Sequence, residues 1–142
     1  MKLFIATIFC LTLWFSGGYA QVAVIANESV PVDNISKEDL LDFYTGDIRE
    51  WTDKSPVIVF DLKPKGETKK TFYNFLGKST SRMKSIWMKN MLSGEGDPPE
   101  ALDTETALLK KVDETPGAIG FCRQDIISEG MSIKILAVIS ID

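Results

Sequence analysis

The chain has 142 residues, a formal net charge of −4 and no histidine. Without histidine, Ser-His-Asp and Cys-His nucleophile systems and the histidine-containing zinc sites are excluded. An acidic balance also argues against nucleic-acid binding, which wants a broadly positive surface. Residues 63–89 nevertheless hold eight Lys/Arg against one acid, enough to attract a small anion locally.

Lys2, the apolar run Leu3–Phe15 and the small residues Gly18 and Ala20 make a secretory signal peptide cleaved after Ala20. As a membrane span the run is too short, since about 20 apolar residues are needed. Residues 1–20 are therefore expected to be removed and residues 21–142 to be one periplasmic or secreted domain with one core. Cys10 leaves with the signal, so the remaining Cys122 has no intramolecular partner. Within Ala118–Cys122 it reads as a small buried hydrophobe.

Val22–Ala26 is the first apolar strand, followed by a polar connection to Asn34. Ser36 then caps a helix that carries acids in its first turn and stops at Gly46. Its Glu38, Asp39 and Asp42 complement the helix dipole and are not read as a catalytic pair. Ile48 and Trp51 are expected to pack back on this helix.

Val57–Phe60 reads as a strand covered on both faces. Pro64 and Gly66 break it, and Thr68–Leu76 continues as a helix with Phe72, Phe75 and Leu76 at helical spacing. A helix starting just after a buried strand directs unpaired N–H groups and its positive dipole end toward the strand's carboxyl end, which favours an anion. Lys63, Lys65, Lys69 and Lys70 surround that point. The same lysines also read as a solvated helix face.

Ser79–Leu92 is an amphipathic helix with Met83, Ile86, Trp87 and Met91 as its apolar stripe. The acids of the Gly94–Pro99 loop lack calcium-ligand spacing, and no metal is assigned. Asp103 or Thr104 caps the next helix, which carries Leu108, Leu109 and Val112 and stops at Pro116-Gly117. Strands Ala118–Arg123 and Ile133–Ile139 complete an α/β domain, a mainly parallel or mixed sheet of about four strands with helices on both faces. The expected core includes Phe60, Phe72, Phe75, Trp87, Leu109 and Ile119.

Three stretches carry a resemblance. Ser36–Trp51 (SKEDLLDFYTGDIREW) is similar to the L-x-x-[IF]-[FY]-x-G-x-I-x-x-W stretch of periplasmic phosphate-binding proteins of ABC importers. Thr115–Phe121 (TPGAIGF) resembles their pGaIGY segment, and Gly66-Glu67-Thr68 with Phe72 falls where that family has its Ser-Gly-Thr phosphate loop and a helix phenylalanine. The resemblance covers Val22–Ile139 and implies one lobe of a type II periplasmic-binding-protein fold, because the family is about twice as long and clamps its ligand between two lobes. It further implies an exported, non-enzymatic, cofactor-free protein that binds phosphate or a similar oxyanion for uptake or sensing. Its expected anion ligands are Gly66, Thr68, Lys63 and Lys69, with Asn27 at a neighbouring strand end. A membrane importer, another periplasmic partner or a second copy in a homodimer would supply the missing wall. The alternative is a periplasmic accessory protein that kept the fold and lost the site. Here the family's serine and glycine are replaced by Gly66 and Glu67, and its preceding arginine by Leu62. Glu67 must point away from a bound anion, and Lys63 cannot reproduce arginine's bidentate grip.

Overall fold

The computed structural model describes residues 21–63 and 65–140; the expected signal peptide and Pro64 lie outside the described residues. The elements are β1 (Val22–Asn27), α1 (Lys37–Thr45), β2 (Ile58–Leu62), α2 (Glu67–Leu76), α3 (Thr80–Leu92), β3 (Glu100–Leu102), α4 (Glu105–Glu114), β4 (Ala118–Arg123) and β5 (Ile133–Ile139). A 3-10 turn at Gln124–Ile126 follows β4. The strands form one mixed sheet in the order β3-β2-β4-β1-β5. β2 runs parallel to β3 and β4, while β1 runs antiparallel to both β4 and β5.

Every residue of β1 is buried, because this strand lies inside the sheet with helices on both faces. Successive residues of β4 show the two layers, since neighbours on a strand point to opposite faces. Phe121 stacks on Phe72 of α2 (ring centroids 3.9 Å, 5° between planes), with Tyr44 of α1 edge-on to Phe72 at 4.8 Å. Gly120, pointing the other way, lies under Leu108 and Val112 of α4, and a Cβ there would come 2.7 Å from Leu108 Cδ2. α4 thus covers one face, and α1 and α2 cover the other.

Hydroxyl caps start three of the helices, and Thr104 rather than Asp103 caps the last. Ser36 Oγ accepts from the Asp39 amide, Ser79 Oγ from Arg82 and Thr104 Oγ1 from Ala107, at 3.0–3.1 Å. Trp51 packs edge-on against Phe43, as expected for a return onto α1.

Several expectations change. The sheet has five strands, because β3 pairs with β2 over only three residues, Glu-Ala-Leu, too short and too polar to show as a strand. β2 extends to Leu62 and carries the buried Asp61. Phe60, Phe72, Leu109 and Ile119 are buried, but Phe75 and Trp87 are half-buried at the layer's edge. In α3 only Met83 of the apolar stripe is fully covered, and Met91 is exposed. α3 packs against α1 at its rim, where Trp87 and Asn90 donate to Tyr44 O and Thr45 O.

Gly117 joins the chain's distant segments. Its carbonyl accepts from Ile58 N and from Trp51 Nε1, at 3.1 and 2.9 Å, and its amide donates to Ser29 Oγ at 3.0 Å. The backbone there has φ +79°, and a Cβ would meet Pro56 O at 2.6 Å. Gly117→Ala should therefore destabilise the fold by about 2–4 kcal/mol, from left-handed strain plus overpacking. Denaturant unfolding followed by Trp51 fluorescence checks this, and an unchanged midpoint contradicts it. Phe72→Ala should cost about 3–5 kcal/mol, as expected for emptying a buried aromatic site, and a loss below about 1 kcal/mol in the same assay contradicts the core assignment.

Candidate functional site

The carboxyl ends of β2 and β3 and the N-termini of α2 and α4 enclose a cavity of about 210 Å³ lined by Leu62, Gly66, Thr68, Lys69, Asp103, Thr104 and Glu105. Gly66 is the N-cap of α2 in extended conformation and offers no side chain to its first amides. Open space surrounds the position its Cβ would take. α2 is thus the helix whose first turn lacks a side-chain cap bond, in contrast to α1, α3 and α4. Thr68 is buried in that first turn.

The two lysines are engaged elsewhere. Lys69 Nζ donates to Leu62 O and lies 3.7 Å from Asp61 Oδ2, with both side chains largely covered. Lys63 pairs with Asp103 at 3.4 Å, in an exposed contact of small energetic weight. Carboxylates already stand at the positive helix ends. Glu67 and Glu105 occupy first turns, and Glu105 Oε1 accepts from the Arg123 amide at 2.7 Å.

Asn27 requires a correction. Because β1 is antiparallel to β4, its carboxyl end aligns with the amino ends of β4 and β2, opposite Leu62. Asn27 Nδ2 donates to Val112 O and Asp113 O at 2.9 and 3.1 Å, and its Oδ1 accepts from Ser29 N at 3.0 Å. It closes the C-terminus of α4 and takes no part in the cavity. The structure brings Gly66, Thr68 and Lys69 together at the cavity and places Asn27 at the other end of the sheet.

Sequence reasoning missed the buried group beneath the cavity. Asp61 Oδ1 accepts from Leu62 N at 2.8 Å, Lys69 faces its other oxygen, and Lys69 Nζ stands 5.9 Å from the Tyr73 ring centre. The Tyr73 hydroxyl, directed to the same carboxylate, makes no hydrogen bond of normal geometry among the described residues. An acid inside an otherwise apolar strand was the available signal. Burial raises the Asp61 carboxyl above the ordinary range, and Lys69 and the Leu62 amide offset this only in part. Tyr73 is raised as well, first by burial and then by Asp61. Burial likewise pushes the Cys122 thiol up to about 12, which keeps it unreactive. Among the described residues no group of three or more His, Cys, Asp or Glu is placed to hold a metal. No helix among them is long and apolar enough to cross a membrane.

A raised acid pKa means the native state takes up a proton more readily than the unfolded chain. Stability should therefore fall as pH rises from the ordinary carboxylate value, about 3.9, through the higher native value. Measured against Asp61→Asn, the wild-type protein should lose ground in Tm over the window that opens at about pH 4 and extends upward. A relative gain over that window would mean that Lys69 outweighs burial.

No protein-family model matches the chain, and curated protein sequences give no match. Solved structures do. A phosphate ABC transporter substrate-binding protein from Clostridium perfringens, solved with bound phosphate, matches 83% of this chain and 45% of its own, with a TM-score of 0.66 and 18% identity. An ABC-type phosphate transport receptor from Vibrio cholerae matches 83% of this chain and 46% of its own, with a TM-score of 0.63 and 17% identity. PstS from Borrelia burgdorferi gives 0.58 and 16%, with 47% of that chain covered. The chain spans just under half the length of these relatives, and its mixed five-stranded α/β architecture is that of a single lobe of phosphate substrate-binding proteins.

Proposed function

We propose that the chain is an exported solute-binding module that takes phosphate or a similar small oxyanion at the N-terminus of α2. The observation that carries this reading is the uncapped first turn of α2, which opens beside Thr68 into the cavity at the carboxyl ends of β2 and β3. Unpaired amides and the dipole favour negative charge there. The phosphate proteins sharing the fold support the choice of anion. Export rests on the signal-like residues 1–20. The module carries out no chemistry and needs no cofactor; it holds its ligand for an importer or a sensing partner.

Binding is weak on this reading. Glu67, Asp103 and Glu105 oppose an incoming anion, and Lys69 is held by Asp61. A single lobe also lacks the second wall that excludes water, so Kd falls on the order of micromolar to millimolar. An importer subunit or a second copy of the chain supplies that wall.

The pairing of Lys69, which lines the cavity, and of Lys63 with acids favours a second reading, an accessory protein that kept the lobe and works through a partner surface. Calorimetry with phosphate and sulfate at low salt separates the two. Glu67→Gly should tighten binding and Thr68→Val should weaken it, the first by removing a repelling charge and the second a hydroxyl donor. Absence of binding at millimolar ligand makes the accessory reading the better one.

A further inference from the structure

At the amino ends of β2 and β3, remote from Gly66, a second cavity of about 540 Å³ lies between α1, α3 and the 93–99 loop. This volume is in the range of small-molecule sites. Val57, Ile58 and Val59, on the edge of the sheet that β3 leaves uncovered, form its floor, with their side chains alternating between the two faces, and Trp87 lines it as well. The indole is fixed, because its Nε1 donates to Tyr44 O at 2.8 Å.

Arg49 lies exposed at the mouth and is anchored at one nitrogen. Its Nε donates to Gly46 O at 3.0 Å. Its guanidinium lies against Gly96, where a Cβ would come 3.0 Å from Nη2 and 3.2 Å from Cζ. Gly96, at φ +157°, leaves that space free. Nη1 and Nη2 have neither a hydrogen-bond partner nor an ion-pair partner among the described residues.

A positioned guanidinium fork beside an apolar floor suits a carboxylate, which it can grip through two parallel bonds. Asp97 and Glu100 line the same cavity and are exposed. Their repulsion grows with ligand charge and so selects a monoanion over a dianion such as phosphate. We propose that this cavity binds a monocarboxylate with an apolar body, the carboxylate on Arg49 and the body between Trp87 and the Val57–Val59 floor. A free acid and the C-terminal residue of a peptide present the same chemistry.

Titration of the isotope-labelled protein by NMR tests this with hydrocinnamate, N-acetyl-glycyl-phenylalanine, hydrocinnamamide and inorganic phosphate as probes. Saturable shifts are expected at Arg49 Nε–H, Gly96 and the Trp87 indole with the two carboxylates. Tighter binding of the dipeptide identifies a peptide terminus as the ligand source, and tighter binding of hydrocinnamate a free acid. The neutral amide, and the acids on Arg49→Gln, should bind about ten- to a hundredfold more weakly, the factor for a charge-assisted hydrogen bond. Arg49→Lys, which keeps the charge and loses the fork, should fall between. Thr68→Val should leave these affinities unchanged, which separates this cavity from the anion site at α2. The proposal is overturned if neither carboxylate gives a saturable shift by about 20 mM. It also fails if the amide binds as well as the acid, if phosphate shifts the same signals at equal affinity, or if Arg49→Gln binds like the parent.

Discussion

The close approach at Gly117 governs how this sheet is assembled. One carbonyl receives both the first amide of β2 and the Trp51 indole, while the adjoining amide reaches Ser29. Three segments far apart in the chain therefore meet at a residue that has no room for a side chain. The register of β2 against β4 follows from this junction, since Ile58 pairs with Ala118 one residue later. Asn27 reinforces it by holding the end of α4 and the Ser29 turn together. The two most distinctive sequence stretches, Ser36–Trp51 and Thr115–Phe121, touch here through the Trp51–Gly117 bond.

Electrostatics at the opposite end of β2 are a balance of short-range terms. The uncapped start of α2 offers amides and a positive dipole end. Against them stand the carboxylates of Glu67, Asp103 and Glu105, and the pairing of Lys69 with buried Asp61. A buried ion pair gains little net stability once desolvation is counted, which agrees with a carboxyl whose pKa is raised rather than lowered. The Asp61–Lys69 pair joins the first turn of α2 to the end of β2, together with the Lys69 bond to Leu62 O.

The two cavities differ in their surroundings. The one at the carboxyl ends is small and carries Lys69, Asp103 and Glu105 in its lining. That at the amino ends is larger and is lined by Val57, Ile58 and Val59, a fixed indole and a guanidinium bonded through Nε alone. Burial of the aromatic group Tyr44, Phe72, Tyr73 and Phe121 between them keeps α1 and α2 rigid against β4.

Local chemistry determined much from the sequence alone. Apolar runs marked four of the strands, Ser36 and the Asp103-Thr104 pair marked two helix starts, and Phe60, Phe72, Leu109 and Ile119 were legible as core from their spacing. The strand–loop–helix at Val57–Leu76 also pointed to the cavity at Gly66 and Thr68. Strand direction was not legible, because alternation and hydrophobicity are the same read either way along a chain. Only the tertiary pairing showed that β1 runs against β4, which puts Asn27 far from Leu62. β3 escaped because a three-residue strand on a sheet edge is held by its neighbour rather than by its own propensity. The partners of Lys63 and Lys69 were equally hidden, since a charge run shows how many cations there are and only packing decides which acid each one meets.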